Sequence, residues 1–461
     1  MANTFPPVFN DNKPAVFRQL DPAKYSSLGD FINEINAPDN RDQLVKTYGY
    51  QQISGGLTGF LSLTGAIRAS GTADEVQYWE ETRLHSTAKV TPTATAAVAA
   101  TSVIATKATT DASVLRLNDV VLIEGQDRFI VAAISPTGEI GLTATATYTF
   151  ESLATTGLTG SGSTATVEIP VIGNLFGQGT DQNKGYLESN VIKRTNPYNI
   201  IKEVFKVTGS QATNIGWINV GNGDYRWYVK GEMDTRARFL DKREMMMLLG
   251  EKIGNAANLN ANVSTITGGE GYFSAIENRG IVHDGQIDGF DELDVLIAEL
   301  DKQGAAPEYA MYVNTTQGLA IDDMVATMNG AAGFGDGTNG ISAFGGRGAE
   351  LGFQSFIRGG YTFHKHSWKL LNDPTLLGAA DAKYRGAMIP LTTVVDPKTG
   401  DRAAALELNY KDTNGYSREM EHWMTGSILG VNNTNTDDLQ FNYRSECTLV
   451  TRAANQHILI K

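Results

Sequence analysis

MDTRARFLDKREMMMLLGEKIGNAA, residues 233–257, is the stretch on which the fold reading turns. Its residues are good helix formers, and Glu232–Arg236 and Asp234–Arg238 stand at the favourable i,i+4 spacing. About 25 residues of helix reach roughly 37 Å, long enough for a structural spine. The Met245–Met246–Met247 run inside it reads as adaptable packing surface.

On its C-terminal side the chain alternates between helix and strand. FDELDVLIAELDKQG (290–304) predicts an amphipathic helix capped by Asp288, EYAMYVN (308–314) a strand, and TTQGLAIDDMVATMNG (315–330) another helix. A glycine-rich loop over 331–352 precedes the strand GYTFHKHSW (360–368). AMIPLTTVVDPKTGDRAAALELNY (387–410) predicts two strands around a turn at Asp396-Pro397-Lys398-Thr399-Gly400, and 438–461 a closing strand.

On its N-terminal side, residues 1–75 read as an extended arm broken by Pro6, Pro7, Pro14 and Pro22. LGDFINEIN (28–36) offers one short amphipathic helix, with Leu28, Phe31, Ile32 and Ile35 on one side. The glycine-rich run 55–75 reads as flexible, its apolar residues needing another subunit or element to cover them. VQYWEETRLH (76–85) predicts a strand. The Thr/Ala tract 87–110 disfavours helix through its β-branched residues. VLRLNDVVLIEG, RFIVAAIS, EIGLTATATYTF and ATVEIPVIG add short strands, parted by turns at Glu124-Gly125-Gln126-Asp127 and Ser135-Pro136-Thr137-Gly138. This predicts a small antiparallel β module to about residue 172, with NIIKEVFKVTG (199–209) and DYRWYVKG (224–231) leading out of it.

Composition limits function. The net charge is −13, from 38 Lys+Arg against 51 Asp+Glu, which suits poorly a chain that grips phosphate backbones. The 49 glycines argue for many turns and long loops. A lone cysteine, Cys447, excludes an intrachain disulfide and reads as a buried thiol in a strand. The start of the chain has no basic, apolar leader, and no stretch of ~20 apolar residues reads as a membrane span. The expectation is a soluble protein of a reducing compartment, with the Asn-x-Ser/Thr triplets at Asn262, Asn314 and Asn432 as chance matches.

Sites of chemistry are hard to assemble. A GxGxxG stands at Gly335, Gly337 and Gly340, but a helix ends before it and more loop follows, so it reads as a surface or pore loop. His364 and His366 share one face of a strand, a spacing a metal pair can use, yet no third ligand is apparent and aromatic neighbours favour packing. The acidic stretch from Asp284 through Asp288, Asp291 and Glu292 to Asp294 lacks the EF-hand order of ligands. It reads as a turn and the negative first turn of a helix. No GxSxG elbow, HExxH or P-loop occurs. No catalytic, cofactor-binding or metal residue is assigned, and no cofactor.

The order of parts resembles the major capsid proteins of tailed phages, the Johnson fold. The resemblance rests on WEETR (79–83) going up a long loop, NPYNIIKEVFKVTG (196–209) coming back, LNDVVLIEG (117–125) as an inserted barrel, and the long helix. Among the subgroups, the chain resembles the large gut-phage (crAss-like) capsids with such an insertion. The resemblance implies an α+β chain. It has an N-terminal arm at 1–75, an extended loop at 76–230 with a β domain inserted at about 88–172, and a peripheral domain at 231–284 around a spine helix at 233–257. An axial domain at 285–430 and a closing strand of the peripheral domain at 431–461 complete it.

The function implied is a non-enzymatic subunit assembling into hexamers and pentamers of an icosahedral shell. That shell would form in the host cytoplasm and enclose DNA without sequence-specific binding. Its partners would be itself, a portal, and scaffold, cement or head-fibre proteins, with no membrane. Tyr78, Trp79, Glu80, Glu81 and Arg83 on the loop are the expected intersubunit contacts. Arg236, Arg238 and Arg243 on the spine could pair with a neighbour's carboxylates, or simply face solvent. No Lys–Asn–Glu trio for self-crosslinking and no processed scaffold segment can be placed. A carbohydrate-binding or adhesive β protein is the alternative, opposed by the long helix and the later αβ alternation. A cellular nanocompartment shell is a lesser one, and a carboxylate hydrolase finds no assignable acid and base.

Overall fold

The computed structural model describes residues 56–461 except 86, 95–96, 108–113, 124–126, 136–145, 159–164, 182–188, 190, 215–225, 254–265, 267, 332–354, 378–382, 392 and 396–401. The expected helix at 28–36, the GxGxxG loop and the three quoted turns lie wholly or mostly outside these residues. The chain is mixed α+β and divides into two compact units: Glu203–Phe239 with His422–Tyr443, and Ile53–Lys202 with Leu240–Glu421 and Arg444–Lys461. Among the described residues no helix is long and apolar enough to cross a membrane.

In the larger unit, a six-stranded mixed sheet runs in the order Ile281–His283, Ile458–Ile460, Gly386–Pro390, Glu308–Val313, Tyr361–Ser367, Ser355–Arg358. Its alternation decides which side each residue covers. Tyr309, Met311, Val313 and Phe363 join Leu293, Leu296, Leu300 and Ile321 of the helices Phe290–Lys302 and Thr315–Ala331 in one core. Ala310, Ala387 and Ile389 face a second core with Tyr272, Phe273, Trp368, Leu248 and Cys447. The helix at 290 is not capped by Asp288: Gly289 holds the cap position, and Glu292 reaches back to the Asp288 backbone N–H at 3.1 Å.

The run expected to be flexible is packed within this unit. Leu57–Leu63 is a helix burying Leu57, Phe60 and Leu61. The Glu244 carboxylate accepts its first N–H, from Leu57, at 2.9 Å. Gly56 lets the chain cross Trp368, since a Cβ there would lie 2.5 Å from the indole nitrogen. Ile67–Ala69 then pairs in parallel with Leu408–Tyr410.

A seven-stranded antiparallel sheet occupies 88–174, in the order Val167–Ile169, Ala88–Pro92, Ser102–Lys107, Thr147–Ser152, Asp127–Ser135, Asp119–Ile123, Val171–Asn174. Its first and last strands are consecutive in the chain, joined at Pro170, whose carbonyl accepts from the Leu122 N–H at 3.2 Å. The sheet thus closes on itself as a small barrel. Its core is its own, with Val90, Val121, Phe129, Val131, Tyr148 and Phe150 all buried.

The long helix is Trp227–Leu249, not 233–257. It begins earlier because WYVKG joins it despite its β-forming side chains. It stops at Gly250, whose N–H bonds the Met246 carbonyl at 3.0 Å while its own carbonyl accepts from Gly271 at 2.7 Å. A side chain at 250 would meet the Met246 carbonyl at 2.4 Å. Met247 is buried with its sulfur 3.9 Å from that of Cys447, so both act as core.

In the smaller unit the helix's first half lies on aromatic residues of strands. Phe239 stacks near Tyr443 at 5.7 Å between centroids, Tyr443 donates to Glu232, and Gly231 leaves room for the Phe205 ring. The expected Asp234–Arg238 ion pair does not form. Asp234 takes Lys230, and Arg238 donates to the Asp234 carbonyl at 3.4 Å and the Thr235 hydroxyl at 3.3 Å.

Two further strand readings are corrected. The segment 387–410 holds parts of four strands, with a hairpin of Thr393–Val395 and Arg402–Ala404 between Gly386–Pro390 and Leu406–Tyr410. The expected single strand at 438–461 is two, Asp438–Thr451 and Ile458–Ile460, in different sheets. Ala453, at φ 50, turns the chain between them.

Candidate assembly surface

Glu75–Glu81 and Val191–Pro197 form an antiparallel ribbon with Trp79 opposite Lys193 and Glu81 opposite Val191. Among the described residues the two strands pair only with each other. Among the described residues both outer edges of the ribbon therefore lack a ladder partner, the condition that invites another chain to pair. Two strands alone are also marginal in water, so something must hold them down.

The inner face supplies that anchor. The Tyr78 hydroxyl donates to the Thr451 carbonyl at 3.0 Å and accepts from Arg279 at 3.3 Å. Burial pushes the Tyr78 phenol up, and the Arg279 charge partly offsets this. Arg279 also donates to Glu270 at 2.6 Å. Glu80 accepts from Arg194 at 3.1 Å and from the Ala453 N–H at 3.1 Å. On the second strand, the buried Asn196 amide donates to the Leu449 carbonyl at 2.7 Å and accepts the Glu270 N–H at 2.7 Å.

The outer face is open at the Trp79 end, while Lys252 donates to the Thr195 hydroxyl at 2.9 Å and the Thr195 carbonyl at 2.7 Å further along. Trp79 is 64% exposed, Val191 53% and nearby Leu84 81%, large apolar groups left in water at one end of the ribbon. Lys193 sits over the Trp79 ring, 5.8 Å from its centroid. Glu81 accepts from Ser189, and Arg83 donates to the Lys302 carbonyl and to Gln303.

The eight residues singled out from sequence therefore divide. Trp79 and Glu81 face outward on the ribbon, and Arg236 and Arg238 are exposed on the helix of the smaller unit. Tyr78 and Glu80 are engaged by their own chain, and exposed Arg83 is tethered to it. Arg243 is the clear correction: it is 6% exposed and lies 3.5 Å from Glu419 of the same chain. Sequence reasoning missed Asn196, Arg279 and Glu270, which fix the ribbon. Only the polar Asn196 inside a β-forming run hinted at a buried role.

Among the described residues no three His, Cys, Asp or Glu side chains gather to hold a metal. His364 has its Nε2 3.1 Å from a Glu308 oxygen, and His366 stacks on Tyr312 at 5.1 Å between centroids.

The chain matches no protein-family model and no curated protein. Among solved structures it is similar to one from Gordonia phage Cozz, at 10% identity and a TM-score of 0.39 over 96% of this chain and 98% of that one. It is similar to the capsid structure of the cyanophage P-SCSP1u at 8% identity and a TM-score of 0.40, over 97% of this chain and 98% of that one. An encapsulin complex from Synechococcus elongatus also resembles it, at 10% identity and a TM-score of 0.32, over 59% of this chain and 77% of that one. These likenesses are loose, and the functional reading rests on this chain's own residues.

Proposed function

We propose that this chain is a shell-building subunit, a major capsid protein of the tailed-phage type, and that its role is structural. The observation that carries the reading is the ribbon Glu75–Glu81 with Val191–Pro197: anchored on one face, open on the other with Trp79 and Val191 exposed among polar groups, and without a ladder partner at either edge among the described residues. Such a surface is completed by another subunit, so stability belongs to the assembly. The order of parts supports the same reading: arm, interrupted loop, long helix, αβ sheet, closing strands.

In this reading the arm is the part of 1–75 that precedes the buried helix Leu57–Leu63, the extended loop is 76–230, the inserted β domain about 88–172, and the axial domain 285–430. The subunits form hexamers and pentamers of an icosahedral virion shell, made in the host cytoplasm around double-stranded DNA. A chain of net charge −13 encloses DNA without gripping its phosphates. Portal, scaffold, cement and head-fibre proteins are the partners this role entails.

Negative-stain microscopy of the purified chain, across rising concentration and with co-expressed scaffold, tests it. Closed polyhedral shells are expected. A monomer that persists under all these conditions overturns the reading.

A further inference from the structure

We propose that His364 and His366 form a two-imidazole site for a borderline divalent metal ion, Zn²⁺ or Ni²⁺. Tyr361 and Phe363 of the strand Tyr361–Ser367 are buried toward the helices. By the two-residue period of a strand, His364 and His366 share the opposite face. Lys365 between them reaches the other way, to Asp322 and the Gly318 carbonyl, so its charge is neutralised there.

Both imidazoles are open to solvent and both are oriented. The His364 side chain is 33% exposed and His366 is exposed. Only the edge strand Ser355–Arg358 lies beyond them in the sheet, with Ser355 opposite His364. Glu308 opens the neighbouring strand, its carboxylate 3.1 Å from the His364 Nε2. A carboxylate that accepts the Nε2–H leaves the lone pair on Nδ1, and this is how metal-bound imidazoles are generally held. The His366 ring lies against Tyr312, 26° from parallel, which fixes its plane. Imidazole nitrogens suit zinc, nickel and copper. Since no third ligand is gathered among the described residues, water completes the coordination, and the site exchanges metal more readily than a closed structural cage.

Calorimetric titration of the full chain, free of any histidine tag, with ZnCl₂ and NiCl₂ tests this. One saturable site per chain is expected. His364→Ala and His366→Ala each weaken it by about ten-fold or more, and Glu308→Gln by about ten-fold. His422→Ala leaves it unchanged, and circular dichroism checks that each variant folds. X-ray absorption of the zinc-loaded wild-type chain should show two imidazole donors, a readout independent of any variant. No saturable binding, unchanged affinity in a folded chain carrying both His364→Ala and His366→Ala, or an absorption spectrum without imidazole overturns the proposal.

Discussion

The barrel over 88–174 and the ribbon that flanks it in sequence meet solvent in opposite ways. The barrel joins its end strands through Pro170 and fills its interior with Phe129, Tyr148 and Phe150, so among the described residues each of its strands has a ladder partner within the same module. Among the described residues the ribbon leaves two edges without a ladder partner and turns Trp79 outward. Closure satisfies a sheet within one chain, whereas an open ribbon on an anchored face is satisfied by a second chain. The barrel is thus expected to carry stability of its own, and the ribbon to carry assembly.

The largest expected effect sits in the barrel. Phe129→Ala removes a fully buried ring and costs about 3–5 kcal/mol. Hydrogen exchange should show lost protection confined to barrel amides, with the six-stranded sheet and ribbon unchanged. Simultaneous loss throughout the larger unit would break the comparison, because the barrel would then not stand on its own core.

A second test asks how firmly the ribbon's support is built. Arg279, which holds Tyr78, lies near the buried His457, whose Nδ1 is 3.0 Å from the Tyr272 hydroxyl. Burial pulls the His457 imidazole down from 6.5 to about 3. Folding favours its neutral form, so this contribution is complete above pH 6.5 and is lost as pH falls toward 3. The loss is about 1.4 kcal/mol per pH unit, or about 2 kcal/mol by pH 5. Urea midpoints at pH 7 and pH 5 should differ accordingly, and His457→Gln should flatten the slope. An unchanged slope would mean that His457 does not sit in a dry core under the ribbon.

These contrasts were unevenly legible in sequence. The barrel strands were, because RFIVAAIS and its neighbours are short β-forming runs parted by turn residues, and their partners lie within the same short stretch. The ribbon's strand at 76–85 was also readable. Its division into an anchored face (Tyr78, Glu80) and an open one (Trp79, Glu81) follows from the same period once a partner face is known. That partner face was hidden, since Thr451, Arg279 and Glu270 come from distant parts of the chain. The same distance hid the packing of Leu57 and Leu61 under Trp368 and Glu244, so a buried helix looked like a loose arm. Arg243 misled for another reason: a charged residue on a helix reads as solvent-facing until its partner, Glu419, is known. Trp227 and Val229 stand in the first turn of the helix although their own preference is for strand, so local propensity placed the helix start too late.

A smaller effect sharpens the anchored face. Tyr78→Phe removes one hydrogen bond to the Thr451 carbonyl and one from Arg279. The ring stays, so the expected cost is about 1 kcal/mol. It should appear as faster exchange of amides in Glu75–Glu81 without a matching change in the barrel. Equal loosening of both regions would mean that Tyr78 supports the whole unit and not the ribbon alone.

The smallest effect on the isolated chain is the most telling about function. Trp79 is exposed, so Trp79→Ala removes little packing within the monomer, and its stability should change by no more than about 0.5 kcal/mol. If subunits meet on the ribbon as proposed, the same indole becomes a large aromatic anchor at an interface, the kind of side chain whose loss weakens association most. Sedimentation of the unassembled variant should match wild type, with the same thermal midpoint, while shell formation falls sharply or fails. The two readouts must part for the comparison to hold. If Trp79→Ala destabilised the monomer as Phe129→Ala does, the ribbon would be part of the chain's own core. If the variant assembled normally, the open face would not be where subunits meet, and the edges of the ribbon alone would have to carry the contact.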